Sequence, residues 1–506
     1  MLSLDQLIQR INHSTYKLDL SGVVGLLGGN YAVDALETIH LYRGRRWAGW
    51  YNYPGAMTVA QRFGQMADSP FWDSLFPGPN HPPAVTFKFA GKPGPEYKGS
   101  FSGTKVQTKY LGYLMAQECT DLRGSQLKLV NNDGSEGRET GPAVVTVVSL
   151  PPLQQERISR SLPNTGDVGT GKQKPVPIPI HPKLKPRLAL YAIGPSLISV
   201  LACVSCFLCR DYICASLILL GIVSSGLSSI VLGTAALKIL VPVPSKASPP
   251  GDGLMFPEGG SIIVLKGQEA DVNIITKGEF ELDYSAGILP HPGHRTIGVC
   301  SLLLMTQFLA QLLLIPLSTL FGQILFLISF VASGAYHLYV VSNQREKVQR
   351  ELLMRELSAE MDKRILGTRT QMAVFACLVL GDGHSNPLMS KPDDVLRSII
   401  PNDTTVWKYW RRKVLKELAC FWKRYPVSSV PYYAPSIQAE PEDKTDMDEY
   451  AHFSKQDVEL LGHLIDDAWC VFNKYPKWRD AESEVRGERC DPAEEKGQLL
   501  PDGSPV

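Results

Sequence analysis

The chain of 506 residues carries 51 basic and 50 acidic side chains, a formal net charge of +1, and is 44% apolar. That balance excludes a globally basic nucleic-acid coat and an acidic tail protein, and the apolar content excludes a wholly disordered chain. The mean hydropathy of −0.05 is a bland average, and the distribution along the chain is not.

Residues 1–150 read as a small α+β region. Leu2, Leu4, Leu7, Ile8 and Ile11 recur at helical spacing, while Ala84 to Phe89 and Ala143 to Leu150 are rich in β-branched or aromatic residues and read as strands. The aromatic-rich run Trp47 to Tyr53 and turns such as Pro77-Gly78 and Pro93-Gly94 lie between them. Asp5, Gln6 and Gln9 interrupt any apolar leader at the start, so the first apolar span is expected to act as an internal signal anchor. Residues 151–186 hold eight prolines and predict a stiff polyproline-type linker. Within it, Gly166 to Gln173 nearly matches a phosphate-binding loop. Gln173 stands where a hydroxyl should meet magnesium, and Lys174-Pro175-Val-Pro177 prevents the helix that must follow, so no nucleotide is expected.

Two windows then break the average. From Ala189 to Val241 the charged residues are Arg210, Asp211 and Lys238, and from Ile297 to Val341 there are none. A bilayer crossing takes roughly 20 mostly apolar residues, so each window is two crossings long. Arg210-Asp211 and Pro316 to Thr319 break them near their centres, which predicts two helical hairpins, 187–242 and 297–342. Lys172, Lys174, Lys183, Lys185 and Arg187 precede the first span, and Arg345, Lys347 and Arg350 follow the fourth. The positive-inside rule then places both termini and the middle loop in the cytosol. The acidic character of 243–297 weighs little in that rule.

The middle loop, 243–296, reads as short strands: Ser261 to Leu265, Asp271 to Thr276 and Glu279 to Tyr284. Residues 343–366 read as one charged helix, because Glu346–Arg350, Glu351–Arg355 and Glu360–Arg364 are acid-before-base pairs four apart. The C-terminal region, 367–476, reads as mainly helical. One helix near 405–424 gathers Trp407, Trp410, Val414, Leu418 and Phe421 on one face, flanked by Lys and Arg. That pattern predicts a helix lying on the membrane surface through Trp407, Trp410 and Phe421. A second helix covers about 454–474. Tyr425-Pro426 and Tyr475-Pro476 are expected to end the two helices alike, and 477–506 to be a disordered tail. The fold class is thus an α-helical multi-pass membrane protein with four transmembrane helices, a cytosolic α+β N-terminal region and a mainly α-helical C-terminal region.

Few motifs carry chemistry. Cys203, Cys206, Cys209 and Cys214 lie along one span and its turn, where small polarizable residues in helix packing explain them better than a cluster would. His291-x-x-His294 lacks further ligands, and Gly381-Asp-Gly-His384 reads as a turn. No catalytic constellation, cofactor site or metal site is expected. The strongest intramembrane pattern is Gly221, Ser225, Ser229 and Gly233, a small-xxx-small groove for close helix packing. Gln307, Gln311 and Gln323 can hydrogen-bond across helices. The expected partners are the lipid bilayer and either a second copy or a cytosolic protein, with no nucleic acid. The expected function is non-enzymatic, organising a membrane or anchoring cytosolic partners; the alternative is an oligomeric channel or transporter assembled through the groove. In topology alone, with no shared motif, the layout resembles that of reticulon-type membrane-shaping proteins.

Overall fold

The computed structural model describes residues 29–67, 69–121, 128–129, 143–152, 176–180, 190–242, 244–245, 248–284, 294–342, 345–384, 386–424 and 452–490. Helices α1 (Gly29–Leu36), α2 (Ala56–Gly64), α3 (Pro70–Leu75) and α4 (Pro83–Thr86) come first. Then follow β1 (Glu96–Gly99), β2 (Lys105–Gln107), α5 (Tyr110–Thr120), β3 (Lys128–Leu129), β4 (Ala143–Ser149) and β5 (Val176–Pro179). The first apolar pair is α6 (Ile193–Leu208) and α7 (Tyr212–Leu232). Between the pairs lie β6 (Ala236–Val241), β7 (Gly253–Phe256), β8 (Ile262–Lys266), α8 (Glu269–Thr276) and β9 (Glu279–Asp283). The second pair is α9 (His294–Leu314) and α10 (Leu320–Ser342). Beyond it come α11 (Arg345–Leu357), β10 (Glu360–Leu366), α12 (Arg369–Gly381), α13 (Pro392–Ile399), α14 (Thr405–Arg424) and α15 (Lys455–Cys490). The N-terminal region is α+β and the C-terminal half is helical.

A seven-stranded mixed sheet, in the order β2-β1-β7-β8-β4-β10-β3, forms a middle layer between two sets of helices. Strand β4 runs parallel to β8 and antiparallel to β10. Its Val-Val-Thr-Val-Val run is apolar on both faces because both faces are covered. Val145, Val147, Ile262 and Val264 pack under α12 to α15, whereas Val148, Met255, Ile263 and Leu265 pack against α5, α8 and α11. A second sheet, β5-β6-β9, buries one face only, through Ile178, Leu237, Ile239, Phe280 and Leu282.

Among the described residues three helical stretches are long and apolar enough to cross a membrane: Tyr212–Leu232, Arg295–Leu317 and Leu320–Ser342. Helix α6 is equally apolar but shorter, at 16 residues. Helix α6 packs against α7 and α10, and α7 packs against α9, so the second apolar pair is joined through the first. The large sheet takes strands from before α6, from between α7 and α9, and from after α10, so all three segments leave the bundle at one end.

The turns at the other end are tied together. Helix α6 closes with Arg210 at φ +58, and the Asp211 N–H returns to the Cys206 carbonyl at 2.9 Å, a left-handed helix end. Asp211 is 5% exposed. Its Oδ1 accepts from the Cys214 N–H (3.1 Å) and caps α7, while its Oδ2 accepts from the N–H (2.8 Å) and hydroxyl (2.7 Å) of Thr319. Thr319 in turn accepts from the Gly322 N–H at 3.1 Å and caps α10. One carboxylate therefore serves the starts of two helices.

Several elements differ from the sequence expectation, each for a local reason. Ala84 to Phe89 is not a strand: Pro83 opens the helical turn α4, for which its fixed φ is preset. Asp271 to Thr276 belongs to helix α8, which has Glu269 and Asp271 in its first turn, where the helix dipole favours acids. The charged stretch 343–366 divides. Helix α11 stops at Leu357, Ser358 reverses the chain at φ +47, and Glu360–Leu366 becomes β10, paired with all of β4. Helix α15 passes through Pro476 and continues to Cys490, held by the Tyr475 hydroxyl on Asp382 (3.3 Å) and by Trp478 on Phe375. The proline-rich linker contributes Val176–Pro179 to the small sheet. The helical spacing at Leu2 to Ile11, the near-phosphate loop, His291 and the tail from 491 lie outside the described residues.

Asp271 is 3% exposed and its Oδ1 has no hydrogen-bond partner among the described residues. Burial pushes its carboxyl up to about 6. The folded chain thus favours the protonated form, so the associated stability is complete below the ordinary carboxylate range and is lost as pH rises through about 6. Asp271→Asn is expected to raise stability at pH 8 by about 1–2 kcal/mol. Thermal melts at pH 8 and pH 5 check this: the gain should shrink at pH 5, and an equal gain at both would refute the assignment.

Candidate functional site

The groove on α7 is occupied by the chain's own residues 46–53. After a 3-10 turn at Arg45–Trp47, the chain runs without helix or strand through Gly49 to Tyr53, antiparallel to α7. Four groove residues receive it in order. Gly233 lies against Arg46, Ser229 against Gly49, and Gly221 against Asn52, while the Ser225 hydroxyl donates to the Gly49 carbonyl at 2.6 Å. Between them Gly226 seats the Trp50 ring.

Asn52 is fully buried and touches all four apolar helices. Its backbone N–H donates to Ser199 of α6 (3.1 Å), its amide nitrogen to Ser329 of α10 (3.1 Å), and its amide oxygen accepts from Gln311 of α9 (3.0 Å). Its oxygen also fills the space that a side chain at Gly221 of α7 would need. Gln311 donates a second time, to the Leu217 carbonyl at 3.2 Å. Tyr51 hydrogen-bonds His337 of α10 at 2.9 Å, Tyr53 donates to the Ala32 carbonyl at 2.7 Å, and the Arg45 guanidinium stands 5.3 Å from the centre of the Tyr336 ring. A polar seam therefore runs through an otherwise apolar bundle. Most of its donors and acceptors are spent on one another, the condition under which irregular backbone is tolerated away from water.

The other sites expected from sequence fall as follows. Trp410 and Phe421 of α14 are buried in the core beneath the large sheet, where the Trp410 indole donates to the Leu464 carbonyl at 2.9 Å. Trp407 is partly exposed and stacks edge-on against Trp410. The face of α14 that carries these rings is turned to α15. Gln323 donates back to the Ile315 and Ser318 carbonyls and braces its own turn. Cys203 and Cys214 hydrogen-bond the carbonyls of Ala215 and Gly322, in helix packing.

Two features were missed. The first is the seam's occupant: Trp47 to Tyr53 stood out by its aromatic content, yet nothing in its composition pairs it with α7. The second is a pair beside the large sheet. The turn at Gly383 (φ +85) sets His384 Nε2 2.6 Å from Asp252 Oδ2, while Asp252 Oδ1 accepts from the Gly267 N–H at 2.7 Å. The pair borders a cavity of about 730 Å³ beside the carboxyl ends of the parallel strands β4 and β8, where open sheets bind ligands. A buried carboxylate fixes the plane and tautomer of such an imidazole. Among the described residues no group of three or more His, Cys, Asp or Glu is placed to hold a metal. Compared with protein-family models, with characterised proteins and with solved structures, the chain matches none.

Proposed function

We propose that the chain is an integral membrane protein whose four apolar helices cross the bilayer as two hairpins, with both termini and the middle loop in the cytosol. Its role is to hold a folded α/β platform rigidly at the cytosolic face, as a non-enzymatic anchor for protein partners. The observation that carries this reading is the single sheet drawn from three segments separated by the hairpins. Such a sheet requires all three on one side of the membrane, as an even number of crossings provides.

The surface of the bundle supports the reading. Leu197, Val200, Val204, Leu219, Val223, Leu227, Ile328 and Val331 are exposed, as a lipid-facing belt requires. Exposed aromatic pairs bound the belt, Tyr191 with Tyr339 at the platform end and Phe207 with Tyr212 at the turns. Aromatic rings favour both interfaces of a bilayer. From Tyr191 to Phe207 the rise is about 24 Å, a short crossing that suits a thin bilayer. The groove at Gly221 to Gly233 is filled from within the same chain, which removes the main support for a channel assembled through it.

Reporter fusions at residue 1, in the exposed β7–β8 turn at Gly259-Gly260 and at residue 506 test the topology. All three are expected on the cytosolic side, and an acceptor site for glycosylation inserted beside Arg210 is expected to be modified. A β7–β8 turn on the far side would overturn the proposal.

A further inference from the structure

We propose that a pocket at the platform end of α10 binds the headgroup of a zwitterionic aminophospholipid, of the phosphoethanolamine class. The inference rests on the membrane reading above and names a ligand for that membrane surface.

The pocket has a volume of about 650 Å³ and opens beside Val340, Val341 and Ser342, the last turn of α10. That turn follows directly on Tyr339, one of the aromatic residues bounding the apolar belt. The pocket therefore lies at headgroup depth, with exposed apolar surface (Leu338 among it) leading away along the helix for an acyl chain.

Its chemistry is mixed in sign. Lys88, Arg345, Lys347 and Arg350 supply four cations. Asp34, Asp121 and Glu346 supply three carboxylates. Glu37, 1% exposed, stands behind them and ion-pairs with Arg345 and, at 3.1 Å, with Lys88. Arg350 is held by Glu118 at 3.2 Å and Asp121 at 3.6 Å. These pairs fix the guanidinium groups at the pocket wall. Lys347 is exposed on the pocket wall.

A phosphodiester suits the arginine and lysine groups, which bind phosphate by charge-assisted hydrogen bonds. The carboxylates beside them would repel a polyphosphorylated headgroup and would accept hydrogen bonds from a primary ammonium. Among the described residues the pocket lining contains no aromatic ring. A quaternary ammonium is recognised mainly by aromatic faces, so choline is disfavoured.

The test uses the purified full-length chain in detergent, with binding read from thermal shift and native mass spectrometry. The probes are dihexanoyl phosphatidylethanolamine, dihexanoyl phosphatidylcholine, phosphoethanolamine and inorganic phosphate. The ethanolamine lipid is expected to bind about tenfold more tightly than the choline lipid, and Lys347→Glu to weaken it by about tenfold. Equal binding of the two lipids overturns the proposal. So does binding of phosphoethanolamine or phosphate alone as tight as that of the lipid, because the site would then take a soluble anion. Lys347 is exposed, so its replacement should leave the melting temperature without lipid unchanged. Arg350→Gln provides a second variant with the same expected loss. Extraction with alkaline carbonate separates the two readings. A chain that stays in the membrane but shows no headgroup preference sinks the pocket alone, while a chain released by carbonate sinks the membrane reading.

Discussion

Gly221→Ala is expected to be the most damaging addition of a single methyl group in the bundle. A Cβ there would overlap the Asn52 amide oxygen and crowd the Gln311 amide nitrogen. Neither group can retreat cheaply, since Asn52 is bonded to three helices and Gln311 to two acceptors. Overpacking of this kind costs about 1–3 kcal/mol, and displacing Asn52 adds the penalty of buried amide groups left unpaired, about 1–3 kcal/mol more. The half-life of the detergent-solubilised protein at fixed temperature measures the loss. Val223→Ala, on the exposed side of the same helix, is the control and should be nearly neutral. The decisive variant is the double substitution Gly221→Ala with Asn52→Gly. It makes room for the methyl group and should recover part of the half-life, giving a coupling energy of about 1 kcal/mol or more. Strict additivity would show that Asn52 is not what fills the groove.

Asp211→Ala should also destabilise the chain, by about 2–4 kcal/mol, for a different reason. The substitution removes the cap of α7 and the two hydrogen bonds that position Thr319, which caps α10. Each lost cap is worth about 1 kcal/mol, and the buried N–H and hydroxyl left behind add to this. Asp211→Asn separates the contributions. Its amide oxygen can still accept from Cys214, but its amide nitrogen meets two donors on Thr319, so about half the loss should remain. Protease accessibility of the turns around 209–212 and 316–319 should rise together in the alanine variant. Opening of only one turn would show that the carboxylate does not join them.

How much of this was legible beforehand depended on distance along the chain. The apolar windows and their breaks are local properties, and α7, α9 and α10 lie where composition placed them. The row of small residues one turn apart was legible too, but as a seat for another helix, whereas an irregular segment lies on it. Its occupant was not legible, because the complement of Gly221 to Gly233 is the segment 46–52, more than 150 residues away, and it is recognised by shape rather than by a shared pattern. Strand β10 failed for a related reason. In Glu360-Met-Asp-Lys-Arg-Ile-Leu366 the acid and base four apart suit a helix, but Asp362 and Arg364 also alternate as a strand requires. What decides between the two periods is the open edge of β4, which lies on the far side of two hairpins. Helix α14 shows a third form of the problem. Its Trp and Phe face was visible, but an apolar face does not say what covers it, and α15 stands there.

The strand order of the large sheet also bears on how the protein is made. Strand β4 emerges early in synthesis, its neighbour β8 only after α6 and α7, and its other neighbour β10 only after α9 and α10. Under the proposed topology, no ribosome-bound intermediate holds a complete sheet, and β4 waits with one or both edges open until both hairpins have been threaded. A hairpin that enters the bilayer incorrectly withholds its strand from the other side. The cytosolic part would then stay unfinished, with an exposed apolar edge of the kind that chaperones and proteases recognise. Under that topology, completion of the sheet would double as a proofreading step on insertion, and a correctly folded platform would certify that all four helices are in place.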